Sequence, residues 1–480
     1  MRERRHGFRY YASLMSLAGG LLTLAMLISC GGNGPQTTPS LSGTVTTSIS
    51  DPPTCQAPSG PFSNVWVTIT KVTAHINADA GSSDSGWVTL VDKTSSPKQI
   101  DLLSLASTTC VLNQLGSTTG LPPGKYQQIR LYLLANDASG GPSPNQCGTG
   151  FNCVVLADGS TVTLNLSSEA QTGLKIPPGQ IAGGGLDIMA GQSADLNIDF
   201  DACSSIVRQG NGQFRLKPTL HAGEVALNQN SLSGRVIDSA TNTPIAGAVI
   251  SLEQPSNGVD RIQRSALSAS DGTFFFCPLP SGNYDVVVTA STATTTYNAT
   301  ATLQVPLGTA LGDIALVPET GATIPSTING LVTTATATPA ATSADITLYA
   351  LQSATPPGGS AVTVTIPLFA GSTSFPLVTA ASTATLTCPT NTDCANYTLL
   401  VPGSNPRAGT FSSSGTSYSA PTGNAAYSIE ADVTASDGTA DCSSSTLTIT
   451  TDNATPTPNP LAVAPGGTVT AATATFTGCQ

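Results

Sequence analysis

The chain has 480 residues, of which 9% are charged and 5% aromatic, with 17 Lys plus Arg against 28 Asp plus Glu. This length predicts roughly three domains of about 150 residues, each large enough to bury a core. The net charge is −11 and no basic run follows the first ten residues, which argues against a nucleic-acid partner. Thr, Ala, Ser, Val and Gly dominate, so we expect an all-β protein rather than one built from amphipathic helices.

Residues 1–29 have the layout of a secretory signal peptide. Basic residues up to Arg9 precede an apolar run from Leu14 to Ile28, and small residues follow it. The run has 15 residues, whereas a membrane-spanning helix needs about 20. The sequence therefore predicts export rather than a permanent transmembrane helix.

The end of this signal, Leu27–Cys30, resembles the bacterial lipobox. The resemblance implies that the chain is cut before Cys30 and that this Cys is acylated. Two or three acyl chains anchor a protein stably to a membrane. An ordinary cleaved signal followed by an unmodified Cys is the alternative. Gly31, in the position where Asp would favour inner-membrane retention in enteric bacteria, favours the outer membrane or the cell surface.

Residues 30–40 are polar and small after the lipidated Cys, and they predict a tether. Fully extended, residues 31–40 span at most about 35 Å. The first domain is therefore expected close to the membrane.

Eleven Cys occur in the chain, and ten remain if Cys30 is lipidated. Disulfides are the expected use of these residues in an exported protein. Cys147 with Cys153 and Cys388 with Cys394 share one C-x5-C spacing, which predicts two local bridges.

The other pairings are hypotheses: Cys442 with Cys479, Cys55 with Cys110, and, by subtraction, Cys203 with Cys277. A zinc site would need C-x2-C motifs or clustered His, and the sequence has neither. We expect no cofactor.

Short apolar runs between turn signals fill residues 41–228 and predict the strands of a sandwich or barrel. These runs are 65–72, 87–91, 126–134, 162–166, 196–200 and 214–220. Six segments of the region are Val65–Val72, Ile100–Leu103, Pro123–Leu131, Gly173–Ile176, Asp199–Ala202 and Leu216–Pro218. In this order they resemble the domain of unknown function family 4382 (DUF4382), common in bacterial lipoproteins. That family implies no established activity.

Residues 231–318 carry a second set of segments: Leu232–Asp238, Pro244–Leu252, Ser270–Phe276 and Leu279–Val288. They are similar to the carboxypeptidase regulatory-like domain. The resemblance implies a transthyretin-like sandwich of seven strands that is not itself a peptidase. Asp271–Gly272 and Pro280–Gly282 predict hairpin turns, and Tyr284, Val286 and Val288 alternate onto one strand face.

Residues 326–480 are rich in Thr, Ala and Ser and contain β-type runs such as 346–351 and 397–401. Ile328–Val332 resembles the opening of the previous module. Two interpretations stay open: a second related sandwich, and an immunoglobulin-like or irregular β domain.

Few residues of the chain suggest a chemical site. Ser95–Lys98 matches S-x-x-K, but Pro97 favours a turn over the helix that usually carries this motif. Asp199 and Asp201, with Asp195 nearby, are candidate ligands of a hard cation such as calcium; the alternative is that they bind loop amides or face solvent. Trp66 lies opposite the apolar face of its strand and is a candidate platform for a sugar, or packs against a second layer.

Together these features predict an exported, lipid-anchored protein of tandem β-sandwich modules without catalytic activity. Its expected role is binding or scaffolding in the cell envelope, and the alternative is a carbohydrate-binding accessory protein. The expected partners are the membrane, through the anchor, and a cell-envelope glycan or protein.

Overall fold

The computed structural model describes residues 42–51, 62–105, 112–166, 170–208, 213–216, 219–225, 231–276, 279, 282–336, 344–373, 376–378, 386–420, 423–435 and 442–479. These residues are built of β-strands, and their helical segments have three or four residues each. The predicted fold of tandem all-β modules is confirmed. No helix among the described residues is long and apolar enough to cross a membrane. The predicted signal peptide, Cys30 and the tether lie outside the described residues.

The first domain spans residues 42–225. Its strands are β1 (Gly43–Ser50), β2 (Phe62–His75), β3 (Val88–Asp92), β4 (Lys98–Asp101), β5 (Asn113–Leu121), β6 (Gly124–Tyr126), β7 (Gln128–Leu133), β8 (Cys153–Leu156), β9 (Thr161–Asn165), β10 (Leu174–Ile176), β11 (Leu186–Ile188), β12 (Ser193–Asp201), β13 (Ile206–Arg208), β14 (Phe214–Leu216) and β15 (Thr219–Glu224). Short 3₁₀ turns (Leu102–Leu105, Pro178–Gln180 and Ala182–Gly184) and α1 (Ala202–Ser205) connect them.

Two sheets enclose the core of this domain. One has the order β15-β12-β1-β5, and β1 runs parallel to β12. The other has the order β10-β7-β2-β8-β9-β14-β13, and β3 and β4 also pair with β2. Apolar side chains from both sheets, such as Val67, Ile129 and Phe200, are fully buried against one another. Each contributes about 1.5–3 kcal/mol to folding by leaving water.

The run 214–220, predicted as one strand, forms two. Phe214–Leu216 (β14) pairs with β9 and β13, whereas Thr219–Glu224 (β15) pairs with β12 in the other sheet. Pro218, between them in the sequence, has no N–H to donate to a strand partner. The single-strand prediction was therefore wrong.

The second domain, in residues 231–317, has the seven strands that the resemblance implied, all within its described residues. They are β16 (Leu232–Asp238), β17 (Val249–Ser256), β18 (Val259–Leu267), β19 (Thr273–Phe276), β20 (Asn283–Thr289), β21 (Thr300–Pro306) and β22 (Thr309–Leu316). One sheet has the order β19-β16-β22, and the other contains β21-β20-β17-β18.

The turn at Asp271–Gly272 is present, but it does not form a hairpin. It joins β18 to β19, which lie in different sheets. Asp271 Oδ1 accepts hydrogen bonds from the Thr273 backbone N–H and hydroxyl at 3.0 and 2.6 Å. Gly272 has φ +80°, and a Cβ there would clash with the Val236 carbonyl oxygen. The turn carries the chain from one sheet to the other. The second predicted hairpin, Pro280–Gly282, is not described in full.

The third domain occupies residues 318–479. Its strands are β23 (Ser326–Thr336), β24 (Ala344–Ala354), β25 (Val362–Ile366), β26 (Leu377–Val378), β27 (Asp393–Val401), β28 (Arg407–Thr410), β29 (Ala425–Ala426), β30 (Ser428–Ala435), β31 (Thr446–Ile449), β32 (Ala462–Val463), β33 (Thr468–Thr470) and β34 (Ala474–Cys479). In one sheet β23 pairs with β27, β33 and β34, and in a separate two-stranded sheet β29 pairs with β32. That this domain is a second sandwich related to the second domain stays a prediction.

One sheet runs through the second and third domains. Its order is β28-β21-β20-β17-β18-β25-β24-β30-β31. The strand β20 is buried on both faces: Val286 and Val288 belong to the core of the second domain, whereas Val287 belongs to the core of the third. The prediction placed only one face of this strand in a core. The other face is covered because the third domain packs on it.

Candidate functional site

Both C-x5-C loops are closed by disulfides. Cys147 and Cys153 are bonded, as are Cys388 and Cys394, and the Cα atoms lie 5.6 Å apart in each pair. Cys442 is also disulfide-bonded. Its pairing with Cys479 stays a prediction, because the structure does not describe the Cys479 side chain. The other cysteines whose residues or side chains are not described are Cys30, Cys55, Cys110, Cys203 and Cys277.

Trp66 lies in β2 on the face opposite the buried Val65 and Val67. The loop closed by Cys147–Cys153 covers part of this face, because the hydroxyl of the neighbouring Thr68 donates to the Phe151 carbonyl oxygen at 2.6 Å. Trp66 itself is half-buried. Its role as a sugar platform stays a prediction.

Asp199 and Asp201 are both buried, so neither faces solvent. Asp199 Oδ1 accepts a hydrogen bond from the Ser50 hydroxyl at 2.7 Å and lies 3.1 Å from Arg264 Nη1. The Arg264 guanidinium balances the charge of this carboxylate. The role of Asp199 and Asp201 as calcium ligands stays a prediction. Among the residues that the structure describes, no group of three or more His, Cys, Asp and Glu is arranged to hold a metal ion.

The Arg264–Asp199 pair forms a joint between two domains. Arg264 lies in β18 of the second domain and Asp199 in β12 of the first, and their side chains are 6% and 1% exposed. Asn197 Nδ2 donates to Ser50 Oγ at 2.8 Å and extends the polar contact. Burial raises the pKa of Asp199, and the charge of Arg264 opposes that rise. Removing one partner from such a pair leaves an uncompensated buried charge.

His221 lies beside this joint, directly opposite Asp199 in the pairing of β12 with β15. It is hydrogen-bonded to the backbone of Ile262 in the second domain. Burial, and then the positive charge of Arg264, lower the pKa of His221 to about 3. The imidazole is therefore neutral at physiological pH.

The joint between the second and third domains is made of backbone and carboxylate contacts. Strand β18 runs parallel to β25, and β21 runs parallel to β28. The Thr365 backbone N–H donates to Glu253 Oε2 at 3.0 Å, and its hydroxyl donates to the Asp260 carbonyl oxygen at 2.7 Å. One residue of the third domain thus binds two strands of the second.

Three acidic side chains are buried at this joint: Glu253, Asp260 and Asp285. Glu253 and Asp285 lie opposite one another on β17 and β20. Burial raises the pKa of Glu253 well above its usual range. Burial, then a hydrogen bond with Asp285 and its charge, raise the pKa of Asp260 to about 8. At neutral pH the Asp260 carboxyl therefore keeps its proton.

A second ion pair crosses the same joint. Arg261 binds Glu430 through two hydrogen bonds of 2.5 and 2.9 Å, from Nη1 and Nη2. The guanidinium also lies 5.5 Å from the centre of the Tyr349 ring. Planar, two-point contacts of this kind fix orientation as well as adding energy.

A shallow cavity of about 490 Å³ lies on the β19-β16-β22 sheet. Phe274 and Phe275 line it together with Arg235 and Asp313, whose side chains are 40% and 50% exposed and 3.7 Å apart. An aromatic ring beside polar donors and acceptors suits a sugar or another small polar ligand.

The S-x-x-K motif has no catalytic geometry. Residues 94–96 form a turn, as predicted, and Lys98 begins β4. Lys98 Nζ donates to Asn113 Oδ1 and to the Gln114 carbonyl oxygen at 2.5 and 2.8 Å. The lysine therefore ties β4 to β5.

The comparisons with known families agree with the order of the first two domains. Residues 42–218 match the family described as "Domain of unknown function (DUF4382)", and residues 231–317 match the "Carboxypeptidase regulatory-like domain". The chain contains a DUF4382 domain followed by a carboxypeptidase regulatory-like domain. Both were predicted from the sequence, and this prediction is confirmed. No match was found among the curated proteins.

Several solved structures have low similarity to the chain. The Bacillus anthracis TIE protein is 11% identical over 91% of this chain and 51% of its own, with a TM-score of 0.17. GBS52, a minor pilin of Streptococcus agalactiae, is 11% identical over 52% of this chain and 97% of its own, with a TM-score of 0.18. The shaft pilin SpaA of Lactobacillus rhamnosus GG is 10% identical over 58% of this chain and 98% of its own, with a TM-score of 0.16. The chain spans about half the length of the Bacillus protein. At these scores the similarity carries no argument about function.

The sequence predictions missed the joint residues of the regulatory-like domain. A signal was present: Glu253 and Asp285 each stand inside an apolar strand sequence, in a chain with only 9% charged residues. A charged residue in such a setting is rarely buried without a partner. Both carboxylates lie on the face that the third domain covers.

Proposed function

We propose that the protein is a lipid-anchored lipoprotein of the cell envelope that acts as a non-catalytic scaffold or binding protein. The signal layout and the lipobox-like segment ending at Cys30 support export and anchoring. The resemblance of residues 231–317 to a regulatory-like domain implies no peptidase activity. The outer membrane or the cell surface is the proposed location.

The observation that carries the scaffold role is the construction of the joints. The Arg264–Asp199 pair ties the DUF4382 domain to the regulatory-like domain, and one sheet continues from the latter into the third domain. Joints that are buried and hydrogen-bonded hold domains in one orientation, whereas domain interfaces within a chain are usually mobile. The ionisable side chains of Asp199, Arg264 and Glu253 are buried in these joints.

The anchoring part is tested by fractionating cells that produce the full chain or the Cys30→Ala variant. We expect the unmodified chain in the membrane fraction, labelled by a fatty acid supplied to the culture. The variant should lose the label and leave the membrane. Equal labelling of both chains would contradict acylation at Cys30.

The scaffold part is tested by photo-crosslinking in the same cells, from a probe placed on the exposed surface. The chain is compared with Arg264→Met, which breaks a joint, and with Arg235→Met, which removes an exposed pair. A scaffold that depends on fixed domains should lose its crosslinked partners only in Arg264→Met. Identical crosslinks in all three chains would contradict this role.

Carbohydrate binding is the second candidate, and the cavity beside Phe275 is the observation that favours it. A glycan and cell-wall polymer array on the chain from Gly31 tests it, with Arg235→Ala and Trp66→Ala as separate variants. Binding lost in Arg235→Ala would place the sugar in the cavity, and binding lost in Trp66→Ala would place it on the DUF4382 domain. An array without signal would exclude this candidate.

A further inference from the structure

Large apolar side chains are seldom exposed in the part of the chain that the structure describes. Among the described residues the prominent cases are Ile76 and Met189, each 57% exposed, and Ile324, 61% exposed. Single exposed apolar residues are common in soluble proteins and need no explanation. The positions of the first two do call for one.

Met189 lies where the described chain begins. The Ser42 carbonyl oxygen accepts a hydrogen bond from the Gly191 N–H at 3.1 Å, and the Thr44 N–H donates to the Gln192 carbonyl oxygen at 2.9 Å. A Cβ on Gly43 would clash with the Ile188 side chain and lie 2.9 Å from the Met189 carbonyl oxygen. The start of β1 is thus held tightly against the segment that carries Met189.

Ile76 lies close to the same segment. Ile188 is opposite Gly124 in the pairing of β11 with β6, and a Cβ on Gly124 would lie 3.8 Å from Ile76 Cγ2. Ile76 and Met189 therefore both lie near the point at which the chain enters the DUF4382 domain. We name these two residues the entry patch.

The segment between Cys30 and this point is short. Eleven residues lie between Cys30 and Ser42, which allows at most about 40 Å when the segment is fully extended. If Cys30 carries acyl chains, the entry patch is always within reach of the bilayer that holds them. The apolar exposure thus occurs where a lipid surface would be nearest.

We propose that the entry patch rests on the bilayer surface, so that the protein is held by Ile76 and Met189 as well as by its anchor. This inference depends on the proposed lipid anchoring. Lys125 and Asp187 lie opposite one another on β6 and β11 beside the patch, and their charges offset each other. The contact should therefore be apolar and should not require an anionic lipid.

The test uses the full acylated chain in phosphatidylcholine vesicles, made with and without bromine on the acyl chains. Bromine quenches a Trp that reaches the apolar region. Two variants are compared, Met189→Trp and Ile324→Trp, because both sites are similarly exposed and only the first belongs to the patch. The signal of the two native Trp is subtracted using the unsubstituted chain.

We expect the added Trp of Met189→Trp to lose most of its fluorescence in brominated vesicles and that of Ile324→Trp to stay unchanged. Adding Ile76→Ser to Met189→Trp should reduce the quenching while flotation with vesicles is kept. Flotation with equal quenching at both sites would overturn the patch and leave the anchor standing. Failure to float would overturn the anchor, and the patch proposal with it.

Discussion

Arg264 Nη1 lies 3.1 Å from Asp199 Oδ1, and the two residues belong to different domains separated by 65 positions in the chain. Neither side chain is accessible to solvent to any large extent, so each depends on the other for its charge balance. The DUF4382 and regulatory-like domains therefore meet through a polar contact that tolerates little displacement.

Arg264→Met should destabilise the protein strongly, because it leaves Asp199 charged and buried. Removing one partner of a buried pair typically costs about 3–5 kcal/mol. Chemical unfolding of the chain from Gly31 measures the effect. The matched control is Arg235→Met, whose pair with Asp313 is exposed and should contribute at most about 1 kcal/mol. Equal losses in the two variants would show that the joint is not a source of stability.

Stability should fall as the pH rises through the titration range of Asp260. Its pKa is about 8 in the folded chain against an ordinary value of 3.8, so the folded state holds a proton that the unfolded state releases. The contribution of Asp260 to the free energy of unfolding is complete below pH 3.8. It is lost as the pH rises to about 8, by at most about 1.4 kcal/mol per pH unit. In Asp260→Asn the free energy of unfolding, measured by chemical unfolding at each pH, should change less across this range. The exposed Asp313→Asn serves as control and should keep the slope of the unsubstituted chain.

His221 should produce the opposite slope on the acidic side. The pKa of His221 is lowered from 6.5 to about 3, so between these pH values the unfolded state binds a proton that the folded state does not bind. The contribution is present above pH 6.5 and is lost as the pH falls to about 3. His221→Gln should weaken the acid sensitivity seen in melting temperature between these values. His75→Gln is the comparison, since the His75 ring is also hydrogen-bonded to the backbone, at Ser85 and Asn77, but lies away from the joint.

The sequence was sufficient to predict the all-β fold class, many of the strands, the two local disulfides and the order of the first two domains. Alternation of apolar residues reports one covered face of a strand, and the C-x5-C spacing brings two thiols together whatever the surrounding fold. Both features are local. They can be recognised without knowing what packs against the segment that carries them.

The joints could not be predicted, because they join residues far apart in the chain. The run Val286–Val288 shows the difficulty: one face of β20 was assigned to a core, and nothing local indicates that a second domain covers Val287. The same applies to Arg264 and Asp199: the sequence suggested a cation ligand at Asp199, and nothing local pairs that residue with Arg264. One local signal was overlooked. Asn257–Gly258, with φ of 54° and 81°, turns β17 into β18 in the manner typical of a two-residue hairpin.

The turn that carries the chain between the sheets of the regulatory-like domain should be sensitive to a single methyl group. Gly272→Ala must adopt φ near +80° and also bring its Cβ against the Val236 carbonyl oxygen, a backbone atom that cannot move aside alone. Gly258→Ala is the matched control, because it has φ +81° and nothing within 4 Å of its Cβ. The control should lose about 1–2 kcal/mol, the usual penalty for the left-handed region, and Gly272→Ala distinctly more. The comparison is made by chemical unfolding of both variants. Equal losses would mean that backbone strain alone, without the contact to Val236, explains the glycine at this turn.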